Sequence, residues 1–232
     1  MDLTEGLRST GAVREFEPGA LDDDVLHRVL DTARFAPNGG NRQAWRVVVV
    51  KDPEARRELR DLYLDGWYDY LALAAAGLTP WAPVTDREAE RAALAGAAEL
   101  AAQAAEGPGG FAEHLDTVPS LLLVLADLRS LAAVDRDLPR YTMAGGASIY
   151  PFVWSILLAA RAEGLGGVMT TMPIRREAEV RRLFGVPEHF AVATLVALGR
   201  PRRAPRHLTR QPVESFATID RLGGPPLTAA EI

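Results

Sequence analysis

The sequence predicts an α+β or three-layer domain, in which helices pack against a sheet. Stretches with helical periodicity alternate with short apolar runs that are typical of buried strands. The chain has 232 residues, of which 48% are hydrophobic, so it is long enough to bury a substantial core. It shows no internal repeat and no clear linker. We therefore expect one domain over residues 1–232.

The first part of the chain alternates helix and strand. Residues 21–36 show helical spacing, and three aspartates at their start favour the positive N-terminal end of a helix. The pattern stops at Pro37. The run 46–50, an arginine followed by four valines, predicts a buried strand. Pro53 stands at the position where proline is permitted to open a helix, and a longer helical stretch covers Asp65 to Ala76.

The middle of the chain is rich in alanine. Thr85 and Glu88 have the spacing of a capping box, which predicts a helix that starts there and runs to about residue 105. The GPGG segment 107–110 predicts a flexible connection, and the apolar run 121–126 predicts a second buried strand.

The last third of the chain contains the remaining elements. An apolar helix over 147–163 should end at Gly164, and an amphipathic helix over 175–184 should end at Gly185. Strands are predicted over 168–171 and 191–198. The tail from Gly199 is rich in arginine and proline and has little periodicity, so we expect it to wrap another surface.

Composition excludes several functions. The net charge of −5 argues against nucleic acid and anionic membranes as partners. No cysteine is present, which removes disulfides, thiolate metal sites and cysteine nucleophiles. The only lysine is Lys51. No apolar run reaches membrane-spanning length and the start does not resemble a signal peptide, so we expect a soluble, cytoplasmic protein.

The usual catalytic motifs are missing. The chain has no G-x-S-x-G and no Walker A sequence, and in the segment 164–169 Met169 replaces the third glycine of a dinucleotide fingerprint. No metal site is expected, because metal-ligand spacing is absent among the four histidines His27, His114, His189 and His207.

Arginines and one glycine-rich segment are the features left to carry a function. Arg8 and Arg14 precede the first predicted helix. A second group follows the last strand and comprises Arg200, Arg202, Arg203, Arg206 and Arg210. Both groups also fit a purely structural interpretation. The second group fits a solvated basic tail, and Arg14 fits a surface salt bridge. In APNGGNRQAW, two glycines allow close backbone approach to a ligand, although the segment also fits an ordinary connection with a core tryptophan, Trp45.

Four ordered segments resemble the flavin-dependent nitroreductase family. LRSTGAVREFEP resembles its Arg-Arg-Ser-x-Arg-x-Phe opening, and APNGGNRQAW resembles its A-P-S-x-x-N-x-Q-P-W. SILLAARAEGLGGVMTTMP resembles its apolar helix and following strand, and VALGRP with LTRQPVESF resembles its closing segments. The similarity extends over essentially the whole chain.

The resemblance implies a three-layer α/β/α sandwich with a central, mostly antiparallel sheet. It also implies a homodimer that binds FMN at its interface, with the C-terminal extension 199–232 wrapped around the partner subunit. The expected activity is transfer of hydride from NADH or NADPH to a planar acceptor such as a nitroaromatic or a quinone. In such enzymes the cofactor supplies the hydride chemistry, so the catalytic side chains stay unassigned.

The same resemblance implies the residues that contact the flavin. Arg14 matches a basic residue near flavin N1 and the C2 carbonyl, and Arg210 matches a phosphate-binding arginine. Backbone contacts to the ribityl chain and phosphate match Thr10, Gly11 and Ala12. The strand end beside N5 matches Thr170 and Thr171. The segment that reaches the flavin of the other subunit matches Pro37, Asn38, Gly39 and Asn41.

Departures from the family pattern leave alternatives open. The opening Arg-Arg-Ser is Thr10-Gly11-Ala12 here, and Trp154 and Ser155 stand where relatives often carry Gln and Asn. These changes are compatible with a specialised dehydrogenase, a dehalogenase, a flavin-cleaving enzyme or a protein that uses a deazaflavin. A non-enzymatic flavin- or ligand-binding protein is the further alternative.

Overall fold

The computed structural model describes residues 2–203 and 208–229. In these ranges it contains four strands and seven α-helices. The strands are β1 Trp45–Val50, β2 Ser120–Asp127, β3 Gly166–Thr170 and β4 Phe190–Gly199. The helices are α1 Leu3–Ser9, α2 Asp23–Ala33, α3 Pro53–Ala75, α4 Arg87–Leu94, α5 Ala97–Ala105, α6 Tyr150–Ala162 and α7 Glu177–Leu183.

The four strands form one antiparallel sheet in the order β1-β2-β4-β3. Val47 pairs with Val124, and Val168 pairs with Ala197. Strand β2 is buried at every residue, because it lies inside the sheet and both of its faces are covered. A register shift between Val124 and Leu125 marks a bulge against β4. The antiparallel α+β prediction is confirmed.

Helices cover both faces of the sheet. Successive side chains of β2 point to opposite faces, so Leu122 and Val124 join a core with α2 and α6. Leu121 and Leu123 join a second core with α3 and the 115–118 segment. Two cores on the two faces of one sheet give the three predicted layers.

Helix α3 differs from the prediction for residues 53–76. A helix opened by Pro53 and a separate one over Asp65 to Ala76 are in fact one continuous helix of 23 residues. Asp52 caps it by accepting hydrogen bonds from the N–H groups of Glu54 and Ala55. Gly66 lies inside this helix, where it is buried against the chain after β3. Tertiary packing therefore outweighs the low helix propensity of glycine.

The predicted capping box at Thr85 and Glu88 is wrong. The N-cap is Asp86, whose carboxylate accepts hydrogen bonds from the N–H groups of Glu88 and Ala89. The alanine-rich helix is also not continuous, because α4 ends at Leu94 and α5 begins at Ala97.

Other boundaries shift by a few residues. Helix α6 begins at Tyr150 after a 3-10 turn, and α7 begins at Glu177 rather than at residue 175. Strand β3 begins earlier than predicted, at Gly166. Gly164 and Gly185 follow the two helix ends with φ of 75° and 61°, as the sequence predicts. Helix α1 was not predicted. Among the described helices, none combines the length and the apolar character needed to span a membrane.

Candidate active site

The predicted cofactor segment 10–14 lies along the outer edge of the sheet, beside β3. Ala12 forms a parallel bridge with Gly167, and the Val13 N–H donates to the Gly167 carbonyl at 2.9 Å. A Cβ on Gly166 would lie 2.7 Å from Cγ2 of Val13, which is closer than a real side chain permits. Glycine at 166 therefore allows the segment to approach β3.

Thr10 is used inside the protein. Its hydroxyl donates to the Gly6 carbonyl at 2.7 Å, and its N–H donates to the same oxygen at 3.0 Å, which ends α1. Thr10 is buried, Gly11 is half-buried and Ala12 is exposed. A ligand can therefore reach the backbone of Gly11 and Ala12, which is the kind of contact that the resemblance implies for this stretch.

Arg14 faces an open cavity of 630 Å³. Phe111, His114, Pro119 and Arg202 are among the other lining residues. Arg14 is exposed, and it forms neither an ion pair nor a side-chain hydrogen bond with any residue in the described ranges. The alternative of a surface salt bridge for Arg14 is therefore not what this structure shows, and the guanidinium is available for an anion.

The end of β3 is held by two hydroxyl groups. The Thr170 hydroxyl donates to the Tyr63 phenol oxygen at 3.2 Å, and the Thr194 hydroxyl donates to the Thr170 carbonyl at 2.9 Å. Burial raises the pKa of Tyr63, while the hydrogen bond from Thr170 and the charge of Arg14 act in the opposite direction. The phenol is thus neutral at physiological pH. Thr171, the next residue, is exposed.

Tyr63 was missed by the sequence reasoning. The sequence predicted a helix opened by Pro53 and a separate one from Asp65, and it assigned no role to Tyr63 between them. The sequence feature that indicates a buried Tyr63 is the helical spacing of Leu59, Tyr63 and Gly66. These three residues form one buried face of α3.

The segment Pro37–Asn41 lies at the opposite edge of the sheet, just before β1. The Gly39 N–H donates to the Ser148 hydroxyl at 3.1 Å, and the Asn38 side chain accepts from the Gln43 N–H at 2.8 Å. Gly40 and Asn41 have φ of 61° and 53°, which turns the backbone sharply. Apart from Asn38, which is half-buried, these residues are exposed.

The fold therefore separates the two halves of the predicted site. Strands β1 and β3 are the two edges of the sheet. Three steps between neighbouring strands, each of about 4.8 Å, place β1 and β3 roughly 14 Å apart. One chain does not bring Pro37–Asn41 next to Thr170 and Arg14.

Arg210 is exposed, and its guanidinium donates to the carbonyl of Thr209 at 2.7 Å. Within the described part of the chain, hydrogen bonds of residues 208–229 stay inside that segment. Arg206 and His207 lie outside the described residues. Over the ranges that the structure covers, no three metal-ligating side chains cluster.

These features define a class of α+β proteins with candidate ligand-binding residues at both edges of an antiparallel sheet. Residues 7–200 match the family model described as the Nitroreductase family. The chain therefore belongs to the nitroreductase family, which makes it an oxidoreductase.

Relatives agree with this assignment. The chain is 30% identical over 204 residues to a protein named NADH dehydrogenase from Thermus thermophilus, covering 88% of each. It is 26% identical over 220 residues to iodotyrosine deiodinase 1 from Pongo abelii, covering 94% of this chain and 68% of that protein. The NADPH:FMN oxidoreductase from Vibrio harveyi, solved with NAD+, shares the fold with a TM-score of 0.63 and 18% identity, over 94% of this chain and 77% of that chain.

Proposed function

We propose that this protein is an FMN-dependent oxidoreductase that passes hydride from NADH or NADPH to a planar acceptor such as a nitroaromatic or a quinone. The observation that carries the proposal is Arg14, a guanidinium that no described residue pairs with. It lies beside β3, whose end is held by the Tyr63–Thr170 hydroxyl pair. The names of the Thermus thermophilus and Vibrio harveyi proteins support the same reaction class.

The residues present fit FMN in their chemistry. An anionic phosphate and a ring edge with hydrogen-bonding atoms need cations and N–H or O–H donors. The β3 edge offers the Arg14 guanidinium, which no described carboxylate neutralises, and the exposed Thr171. Arg210 is also exposed and has no carboxylate partner among the described residues.

When bound, FMN would supply the hydride chemistry. Arg14 would stabilise negative charge on the reduced cofactor, because a fixed cation near a developing anion lowers its free energy. Arg210 would hold the phosphate through paired hydrogen bonds. Thr170 would stay in place because Tyr63 and Thr194 fix its hydroxyl and its carbonyl. No described acid or base is needed for these roles.

The separated halves of the site also support a homodimer. A second copy would bring its Pro37–Asn41 segment to the β3 edge that one chain leaves incomplete. The tail offers apolar side chains for such contact, all of them exposed: Val213, Phe216, Ile219, Leu222 and Leu227. The cytoplasmic location stays a prediction.

The first experiment is an absorption spectrum of the purified protein before and after loading with FMN and removal of the excess. A retained flavin spectrum that NADH or NADPH bleaches anaerobically supports the proposal, and a colourless protein refutes it. Arg210→Ala should weaken FMN binding but not riboflavin binding, since riboflavin has no phosphate. Arg221→Ala, an exposed arginine of the same segment, is the matched control.

A specialised reaction is the second candidate. One observation that favours it is the segment Thr10-Gly11-Ala12, in which the Thr10 hydroxyl already donates to the Gly6 carbonyl. The similarity to iodotyrosine deiodinase 1 is the other. A protein that retains FMN but is reduced by neither NADH nor NADPH at a rate sufficient for turnover would favour this candidate. A protein that retains only a deazaflavin would be another specialised member.

A further inference from the structure

Three aromatic rings and a guanidinium lie together beyond the end of β3. We call Trp67, Tyr70, Trp81 and Arg175 the aromatic–arginine cluster. The rings of Trp67 and Tyr70 are parallel with centroids 5.4 Å apart, and those of Tyr70 and Trp81 are 6.1 Å apart. The guanidinium carbon of Arg175 lies 5.0 Å from the centre of the Trp81 ring.

No described carboxylate pairs with Arg175. Arg175 is exposed, and it forms no ion pair or side-chain hydrogen bond within the described ranges. The next residue, Arg176, donates to the Asp65 carboxylate at 2.9 Å. A guanidinium placed over a ring face keeps its N–H groups for a carboxylate, because those groups point outward in its plane.

The position of Arg175 is fixed by the close approach of α3. A Cβ on Gly66 would lie 3.1 Å from Cγ and 3.2 Å from Cβ of Arg175, and 3.2 Å from the Met172 carbonyl. Glycine at 66 therefore lets the helix pack on the stem of Arg175. The side chain is held near the aromatic rings.

Trp81 shows two features of a functional residue. Its φ is 53°, a left-handed conformation that a bulky side chain rarely adopts. Its indole N–H is buried and has no acceptor among the described residues. Both features cost free energy that packing elsewhere must offset, and such costs concentrate at ligand sites.

Helix α3 connects the cluster to the proposed flavin edge. Tyr63, Gly66, Trp67 and Tyr70 have the spacing of one helix face, and Tyr63 contacts Thr170. At 1.5 Å per residue, Tyr70 lies roughly 10 Å along the helix from Tyr63. A small aromatic molecule is therefore long enough to extend from the cluster to the end of β3.

We propose that the aromatic–arginine cluster is the acceptor subsite and that it selects planar aromatic acceptors that carry a carboxylate. The ring would lie against Trp81 and Tyr70, and the carboxylate would bind Arg175. This inference rests on the proposed function, because it names the acceptor class of that reaction.

The test compares 4-nitrobenzoate with its neutral analogue 4-nitrobenzamide as acceptors for the FMN-loaded enzyme. The wild type should have a lower KM for 4-nitrobenzoate. Arg175→Gln should raise that KM by about 10- to 100-fold, the effect of losing a charge-assisted hydrogen bond, with little change for 4-nitrobenzamide. Arg175→Lys should restore part of the preference. Arg176→Gln, in which the neighbouring paired arginine is changed, should behave like the wild type.

Calorimetric titration of both compounds into the same proteins measures binding without turnover. Binding that prefers the carboxylate and depends on Arg175, in a protein that turns over neither acceptor, supports the subsite and refutes the proposed reaction. Turnover of both acceptors with equal KM, unchanged in Arg175→Gln, overturns the subsite and leaves the reaction standing. An equal loss of both acceptors in Arg175→Gln also overturns it, because charge selection predicts a difference.

Discussion

Removal of the Tyr63 hydroxyl tests the link between α3 and the end of β3. Tyr63 is only 3% exposed, and its phenol oxygen accepts from Thr170 at 3.2 Å. Tyr63→Phe keeps the ring in the core and deletes this one contact. The bond is long for a hydroxyl pair, and the half-buried Thr170 would be left without that partner.

The expected cost is about 1 kcal/mol of unfolding free energy, the usual net worth of one intramolecular hydrogen bond. For a chain of 150–250 residues, that loss lowers Tm by roughly 2–4 °C. Thermal unfolding followed by circular dichroism measures it, at one protein concentration and one FMN concentration, since binding shifts Tm.

Tyr68→Phe is the matched control on the same helix. Tyr68 is half-buried and donates to Oε1 of the half-buried Glu113 at 3.1 Å. Water can replace that donor, and the other oxygen, Oε2, keeps the Gly110 N–H at 2.6 Å. Its Tm should fall by less than that of Tyr63→Phe. If Tyr63→Phe is as stable as the wild type, or Tyr68→Phe loses more, the Tyr63–Thr170 contact does not hold the strand end.

Two further predictions concern the sheet. Gly167→Ala should destabilise the protein strongly, because a Cβ would lie 2.5 Å from Leu198 and 2.6 Å from the Ala197 carbonyl; a Tm within one degree of the wild type would contradict this. Hydrogen bonds from Arg129 lower the pKa of Asp127 to about 2, so its stabilising effect should be present above about pH 4 and be lost as the pH falls towards 2. Tm measured against pH should therefore be flatter over that range in Asp127→Asn, and parallel curves would refute the effect.

The sheet was largely predictable from local sequence. The run 121–126 is apolar at every position, as a strand buried on both faces must be, and β2 covers it with one residue more at each end. Glycines 164 and 185 marked two helix ends, because a left-handed residue there favours glycine. Trp45 is buried at the start of β1, stacked on Phe152 at 4.6 Å, as the core interpretation expected.

Helix continuity and caps were less predictable. The sequence predicted a helix opened by Pro53 and a separate one from Asp65, yet α3 is continuous. It passes through Gly66, on which the turn after β3 packs. Thr85 and Asp86 are adjacent possible caps, and the choice depends on which side chain reaches the free N–H groups. Such choices depend on neighbours that are distant in sequence.

The sequence by itself determined the fold class, the strand positions and the family, since these follow from periodicity and from ordered motifs. Tertiary structure decided which residues meet. It placed Arg14 and Thr170 at the β3 edge, separated them from the segment 37–41 at the β1 edge, and assembled a cluster around Arg175 from segments far apart in the chain. The physical reason is that periodicity reports only which face of an element is buried, whereas contacts between elements depend on strand order and on close approaches such as that at Gly66.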